Sequence, residues 1–265
     1  MAGHIIEIGP LQLLVGLVFV LIAGAGSMVW SLGLGRDLAV GTARTFGQLL
    51  LMGYALQFIF KLDLAWVTIG VFCVMTAAAV HVVRGRIKER RIPFVLPMSA
   101  TMFVSFFLVS YVVTSVVVGA EPWWRPQYFI PLAGMVIGNS MSAIAIALER
   151  LLSDMSARRN EVEMMLSLGA SPEEASQGLV RQAMRSGMIP AINSMMAVGL
   201  VFLPGMMTGQ IIAGADPANA VRYQIVVMLM LTASSALGTM GVVLWVRRRC
   251  FGKAGQLLLA HGESA

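Results

Sequence analysis

The sequence predicts an all-α integral membrane protein of about seven transmembrane helices, with its N-terminus outside and its C-terminus in the cytoplasm. Three observations predict it. The chain is 58% hydrophobic and only 12% charged over 265 residues, with mean hydropathy +0.81. A soluble domain carries about 25% charged residues, and a chain this apolar has too little polar surface to cover a core. The apolar residues fall into long runs, and the basic residues gather in alternate gaps between them.

A bilayer core needs about 20 apolar residues per helix. Seven segments qualify: roughly 10–33, 40–60, 64–83, 93–119, 128–148, 188–213 and 219–246. The first follows "MAGHIIEIGP", which lacks a basic n-region, so it is read as a retained helix and not as a removed signal peptide. The first gap holds Arg36 and Arg44. The third holds Arg84, Arg86, Lys88, Arg90 and Arg91. The fifth holds Arg150, Arg158, Arg159, Arg181 and Arg185, and the tail adds Arg247, Arg248, Arg249 and Lys253. All but Lys61, Arg125 and Arg222 of the 19 basic residues therefore share one side, which the positive-inside rule makes cytoplasmic. "EPWWRPQYF" (121–129) sets Trp123, Trp124 and Tyr128 at an outer boundary, where amphipathic rings prefer to sit. The net charge of +6 is thus an orientation signal of a multi-pass protein of the cell membrane, not a nucleic-acid footprint. Cys73 and Cys250 suggest neither a disulfide nor a zinc site. Gly134, Gly138 and Ser142, and then Ser234, Gly238 and Gly241, form small-residue stripes that let helices approach closely in lipid.

The remaining segment, 149–187, is too short for an independent enzyme domain. It is also much longer than a simple connection needs. A helical run stops at Gly169, a natural helix end. "SPEE" then restarts a helix, with Ser171 as N-cap, Pro172 at the first position and Glu174 as the capping-box acid. Ala175, Leu179, Ala183 and Met184 share one face of that helix, which re-enters the membrane near Pro190. This helix–corner–helix unit reads as a docking knob for a cytoplasmic partner.

The corner resembles the coupling loop of ABC-transporter permeases. "EMMLSLGASP" supplies Glu163, Gly169, Ala170, Ser171 and Pro172, with methionines where that motif usually has alanines. The chain is not its own motor. A phosphate loop needs G-x-x-x-x-G-K-[ST], and none of the three lysines, Lys61, Lys88 and Lys253, sits in that setting.

"IPLAGMVIGNSM" (130–141), "LSLGASPEEAS" (166–176), "VGLVFLPGMMTGQIIAGADPANAVRYQIVVM" (198–228) and "RTFGQLLLMGYALQFIF" (44–60) extend the likeness. Together they resemble the Fet-type family of ABC permeases, which includes a bacterial iron exporter's membrane subunit and plant aluminium-sensitivity proteins. The resemblance runs from about residue 35 to 247. It implies a single permease domain (1–265) with no catalytic residues or cofactor of its own. ATP and Mg would be bound by a separate ATP-binding subunit, in a complex of two permeases and two ATPases with this chain as a homodimer. It implies iron or a related metal as exported cargo. The plant branch points to a sugar nucleotide as the alternative.

One stretch departs from a plain span. "FLPGMMTGQ" (202–210) puts Pro204, Gly205, Met206, Met207, Gly209 and Gln210 in an apolar run. Proline has no amide hydrogen, and freed carbonyls in lipid are tolerated only against protein or a water-lined cavity. Transporters place unwound helices at substrate sites, so this stretch reads as pathway or hinge. A proline kink that only fits the helix round a neighbour is equally consistent with the residues. Met206 and Met207 cannot both face one way in a regular helix. Gln48, Asn139, Asn193, Ser194, Thr208 and Gln210 are candidate polar groups within the spans, each also readable as interhelical glue.

No Asp, Glu or His lies near the centre of a predicted span, although intramembrane ionisable groups usually mark an ion path. The metal ligands are thus not assigned. Iron(II) favours nitrogen and oxygen ligands, whereas thioether suits Cu(I). A membrane enzyme would need paired carboxylates, an HExxH or a Ser/His set within the spans, and none is present. A partner-independent channel or carrier would need an intramembrane gating residue, and none is evident.

Overall fold

Helices form the architecture of the chain in the computed structural model, which describes residues 9–87, 94–252 and 254–259. Lys88, Arg90, Arg91 and Lys253, used above for orientation, lie outside the described residues, as does the first residue of the predicted span 93–119. Six described helices are long and apolar enough to cross a membrane. They are α1 (Pro10–Val29), α2 (Gly35–Leu62), α3 (Ala65–Arg86), α4 (Val95–Val112, continued by a π turn over Val113–Val117), α5 (Pro126–Ala157) and α9 (Pro217–Cys250). Between the last two come α6 (Arg159–Ser167), α7 (Pro172–Ala197) and α8 (Gly205–Ile212).

The sixth predicted span, 188–213, is not one helix. It comprises the end of α7, an irregular stretch over 198–204, and α8. Val198 turns extended (φ −62°, ψ 135°), and Gly199 adopts φ +86°, a conformation costly for any residue with a Cβ. The Gly199 N–H donates back to the Phe202 carbonyl at 3.0 Å. Pro204, which has no N–H to lose, then caps α8. The expected kink is therefore a full break. Pro190 and Pro131, by contrast, remain inside α7 and α5.

α5 is the centre. It packs on α3, α4, α7 and α9, and its buried face runs from Phe129 to Met155. At 32 and 34 residues, α5 and α9 measure about 48 and 51 Å at 1.5 Å per residue. Both exceed a hydrocarbon core of about 30 Å. They project from it at the ends that carry Arg150 and Arg247–Arg249, and α6 and the start of α7 join them there. α1 packs on α2, and α2 on α3 and α5. Most of the side chains of α1 and α2 are exposed and apolar, as lipid-facing surface must be.

The small-residue stripes act largely as packing sites. A Cβ at Gly241 would lie 2.5 Å from Thr101 Cγ2 of α4, and one at Gly238 3.1 Å from Ile144 Cδ1. Ser140 Oγ donates to Ser234 Oγ across the α5–α9 contact at 2.9 Å. Gly134 meets Met75, whereas Gly138 has open space beside it. The closest approach to the backbone of another helix was not read from a stripe. A Cβ at Gly187 of α7 would sit 2.6 Å from the Ala143 carbonyl oxygen and 2.8 Å from Ala147 Cβ. Between α4 and α5, Trp123 stacks edge-on against Tyr111, Trp124 and Phe129 with centroids 5.1–5.8 Å apart.

Gly187→Val should lower stability by about 1–3 kcal/mol, as overpacking does, because the nearest obstructing atom is the Ala143 backbone carbonyl oxygen, which cannot swing aside. Gly178→Ala, with open space at its Cβ, should not. Thermal unfolding of the two detergent-purified variants checks this.

Candidate functional site

The corner forms as its sequence predicts. α6 ends at Ser167, the Ala170 N–H donates to the Met165 carbonyl at 3.0 Å, and Gly169 takes φ +93°. Ser171 caps α7 by accepting from the Glu174 N–H at 3.2 Å. Glu174 Oε2 accepts from the Ser171 N–H at 2.8 Å and from its hydroxyl at 2.7 Å. Pro172 holds the first helical position. Ala175, Leu179 and Ala183 are buried, and Met184 packs beside them. Glu163 pairs with Arg159 at 2.7 Å. At the tip Leu168 is 81% exposed, and Met164 beside it is 58% exposed.

Two attachments that sequence reasoning missed bind this corner to α9. Arg247, 7% exposed near the end of α9, pairs with Glu173 in the first turn of α7 at 2.8 Å. Beyond Cys250 the chain folds back, with the Leu258 N–H donating to the Cys250 carbonyl at 2.8 Å. This buries Leu257 and Leu259 in the core cluster. The Leu259 carbonyl accepts from Arg159, the same guanidinium that holds Glu163. "RRR" reads as a topology signal, so nothing local marks Arg247 as a partner for a residue 74 positions away.

The helix break builds a second feature, an open-sided cavity of about 400 Å³ lined by parts of α7, the broken stretch, α8 and α9, with Leu203, Ile225 and Leu229 exposed at its mouth. Pro204 and Met207 line it, and Met207 is buried. Met206 points away and packs on the core, so one methionine of the pair faces the cavity. Gly205 starts α8, and the Gln210 carbonyl accepts from the Ala215 N–H. Gln48, Asn139 and Asn193 are exposed on α2, α5 and α7 and are not brought to the cavity. Asn139 Nδ2 donates to the Met135 carbonyl of its own helix. The cavity instead adds Met195, Gln224 and Met228. Gln224 is 6% exposed, and its carbonyl oxygen is buried without a hydrogen-bond partner. Its spacing of four from Met228 was a usable signal, masked by its place near the start of a span, beside Arg222.

Residues 10–251 match the family described as "Uncharacterised protein family (UPF0014)". The chain belongs to this family. It is similar to "UPF0014 membrane protein slr1647" of Synechocystis, 37% identical over 88% of this chain and 86% of that protein. It is 31% identical to "Probable iron export permease protein FetB" of Escherichia coli, over 94% of this chain and 95% of that one. It is 32% identical to "Protein ALUMINUM SENSITIVE 3" of Arabidopsis thaliana, over 91% and 87%. No solved structure matches. With six apolar helices of spanning length, this UPF0014 chain is a multi-pass membrane protein.

The electrostatics of the corner give a pH prediction. Hydrogen bonds from the Ser171 backbone and hydroxyl hold the Glu174 carboxyl below the ordinary glutamate range, and Arg158 does the same for Glu161. A depressed carboxylate contributes stability that is full above its ordinary value and is lost as pH falls through the lowered one. Amide exchange over 172–176, referenced to a segment in mid-α5, should hold its protection down to the ordinary glutamate value and lose it below. Glu174→Gln should flatten the profile.

Proposed function

We propose that this chain is the membrane-spanning permease subunit of an ABC transporter, exporting iron or a related metal with ATP hydrolysed by a separate subunit. The observation that carries the reading is the corner. It is a capped turn that presents Leu168 and Met164 on an exposed surface. An exposed leucine at the tip of an ordered turn fits a partner pocket far better than it fits water. The name of the similar Escherichia coli protein, an iron export permease, supports the cargo, and the distribution of basic residues supports a cytoplasmic corner and an external N-terminus.

The mechanism follows from the attachments. An ATPase that moves the corner pulls on α7 directly and on α9 through the Glu173–Arg247 pair and the folded-back tail. The break at 198–204 lets the outer part, α8 with the start of α9, respond separately. Two copies, each with one ATPase, would complete the transporter, and this chain performs no bond chemistry.

Purification of the tagged chain in gentle detergent tests this. A stoichiometric ATP-binding protein should co-purify, and its hydrolysis should rise with iron(II) or one other metal. Gly169→Val forces a β-branched residue to φ +93°. It should leave assembly intact and cut transport at least about tenfold per ATP hydrolysed. Absence of any ATP-binding partner under several mild conditions, or full transport by Gly169→Val, contradicts the reading.

A further inference from the structure

We propose that the cavity under the helix break is a binding site for a soft monovalent metal ion of the Cu(I) type. Met195, Met207 and Met228 supply thioethers, and the Gln224 side-chain carbonyl supplies a hard donor. The role of this site in transport rests on the permease reading; the binding itself does not.

Three observations carry it. First, the donors come from three separate helices, α7, α8 and α9, and reach one cavity only because 198–204 is unwound. Flexible thioethers are able to draw in round an ion. Second, the Gln224 carbonyl oxygen is buried at this cavity with no hydrogen-bond partner. An unsatisfied buried amide costs about 1–3 kcal/mol and calls for an occupant. Third, the donor set and charge fit one class of ion. Thioethers select Cu(I), and iron(II) prefers imidazole and carboxylate. Among the described residues no three His, Cys, Asp or Glu side chains come together. No carboxylate lines the cavity. The Born cost of burying an ion grows as the square of its charge, so a monovalent ion pays roughly a quarter of what a divalent ion of equal size would. Arg222, two residues before Gln224, is exposed and lies about 200° round the helix from it, so it does not line the site.

The test uses the full-length detergent-purified chain with Cys73→Ala and Cys250→Ala, which removes both thiols. Cu(I) buffered by a chromophoric chelator is titrated against it. The expected result is one Cu(I) per chain, not displaced by excess iron(II). Met207→Leu and Met228→Leu should each weaken binding at least about tenfold, and Gln224→Leu should weaken it too. Leucine nearly conserves the methionine volume, and an unchanged unfolding temperature confirms the fold. Met206→Leu is the internal control, because that neighbour packs on the core instead, and it should bind like the parent. Absence of Cu(I) binding overturns the proposal. So does binding that survives Met207→Leu, binding lost equally in Met206→Leu, or displacement by iron(II). A chain that binds Cu(I) at these residues but has no ATP-binding partner keeps the site and loses the permease reading; the reverse result loses only the site.

Discussion

The close approach of α7 to α5 at Gly187 is the constraint on which the rest depends. Only a residue without a side chain lets these backbones come so near, and Thr239 of α9 closes the third side of the same point. In lipid there is no hydrophobic drive between helices, so close packing and interhelical hydrogen bonds must hold them. The Gly187 junction, the Ser140–Ser234 bond one face away, and Gly238 and Gly241 against their neighbours together join α4, α5, α7 and α9 into one body. α1 and α2 stand outside it, attached through α3 and α5.

That body reaches from the corner to the start of the break. The Glu173–Arg247 pair and the tail contact of Arg159 with Leu259 tie the corner to the end of α9. The pair is half in solvent on the Glu173 side, so its worth is positional more than energetic. Beyond Ala197 the regular hydrogen bonds of α7 stop. In the proposed transporter the packed body is therefore the lever, and the broken stretch is where lever movement becomes a change of shape. The Gln224 cavity lies at that boundary.

Much of this was legible in the sequence where the cause is local. The corner depends on Gly169 and on a cap–acid spacing of three residues, so Ser171, Pro172 and Glu174 predicted it correctly. Pro204 and its glycines predicted an interruption. Its extent was not legible, because it depends on Gly199 adopting a positive φ and bonding to Phe202. The polar residues within the spans misled for the same reason in reverse. Gln48, Asn139 and Asn193 have suggestive chemistry but lie on exposed faces, while Gln224, which was not singled out, is the buried one. Arg247 was hidden in a basic run, and its meaning comes from a partner on another helix.

The most direct measurement attaches a short photoreactive cross-linker at Leu168→Cys, in a background with Cys73 and Cys250 replaced by alanine, and irradiates native membranes. The control carries the same group at Ala213→Cys, just beyond α8 at the other end of the bundle. The account predicts an adduct between Leu168→Cys and an ATP-binding protein, and none from the control. No such adduct at the corner, or equal adducts at both positions, would contradict it.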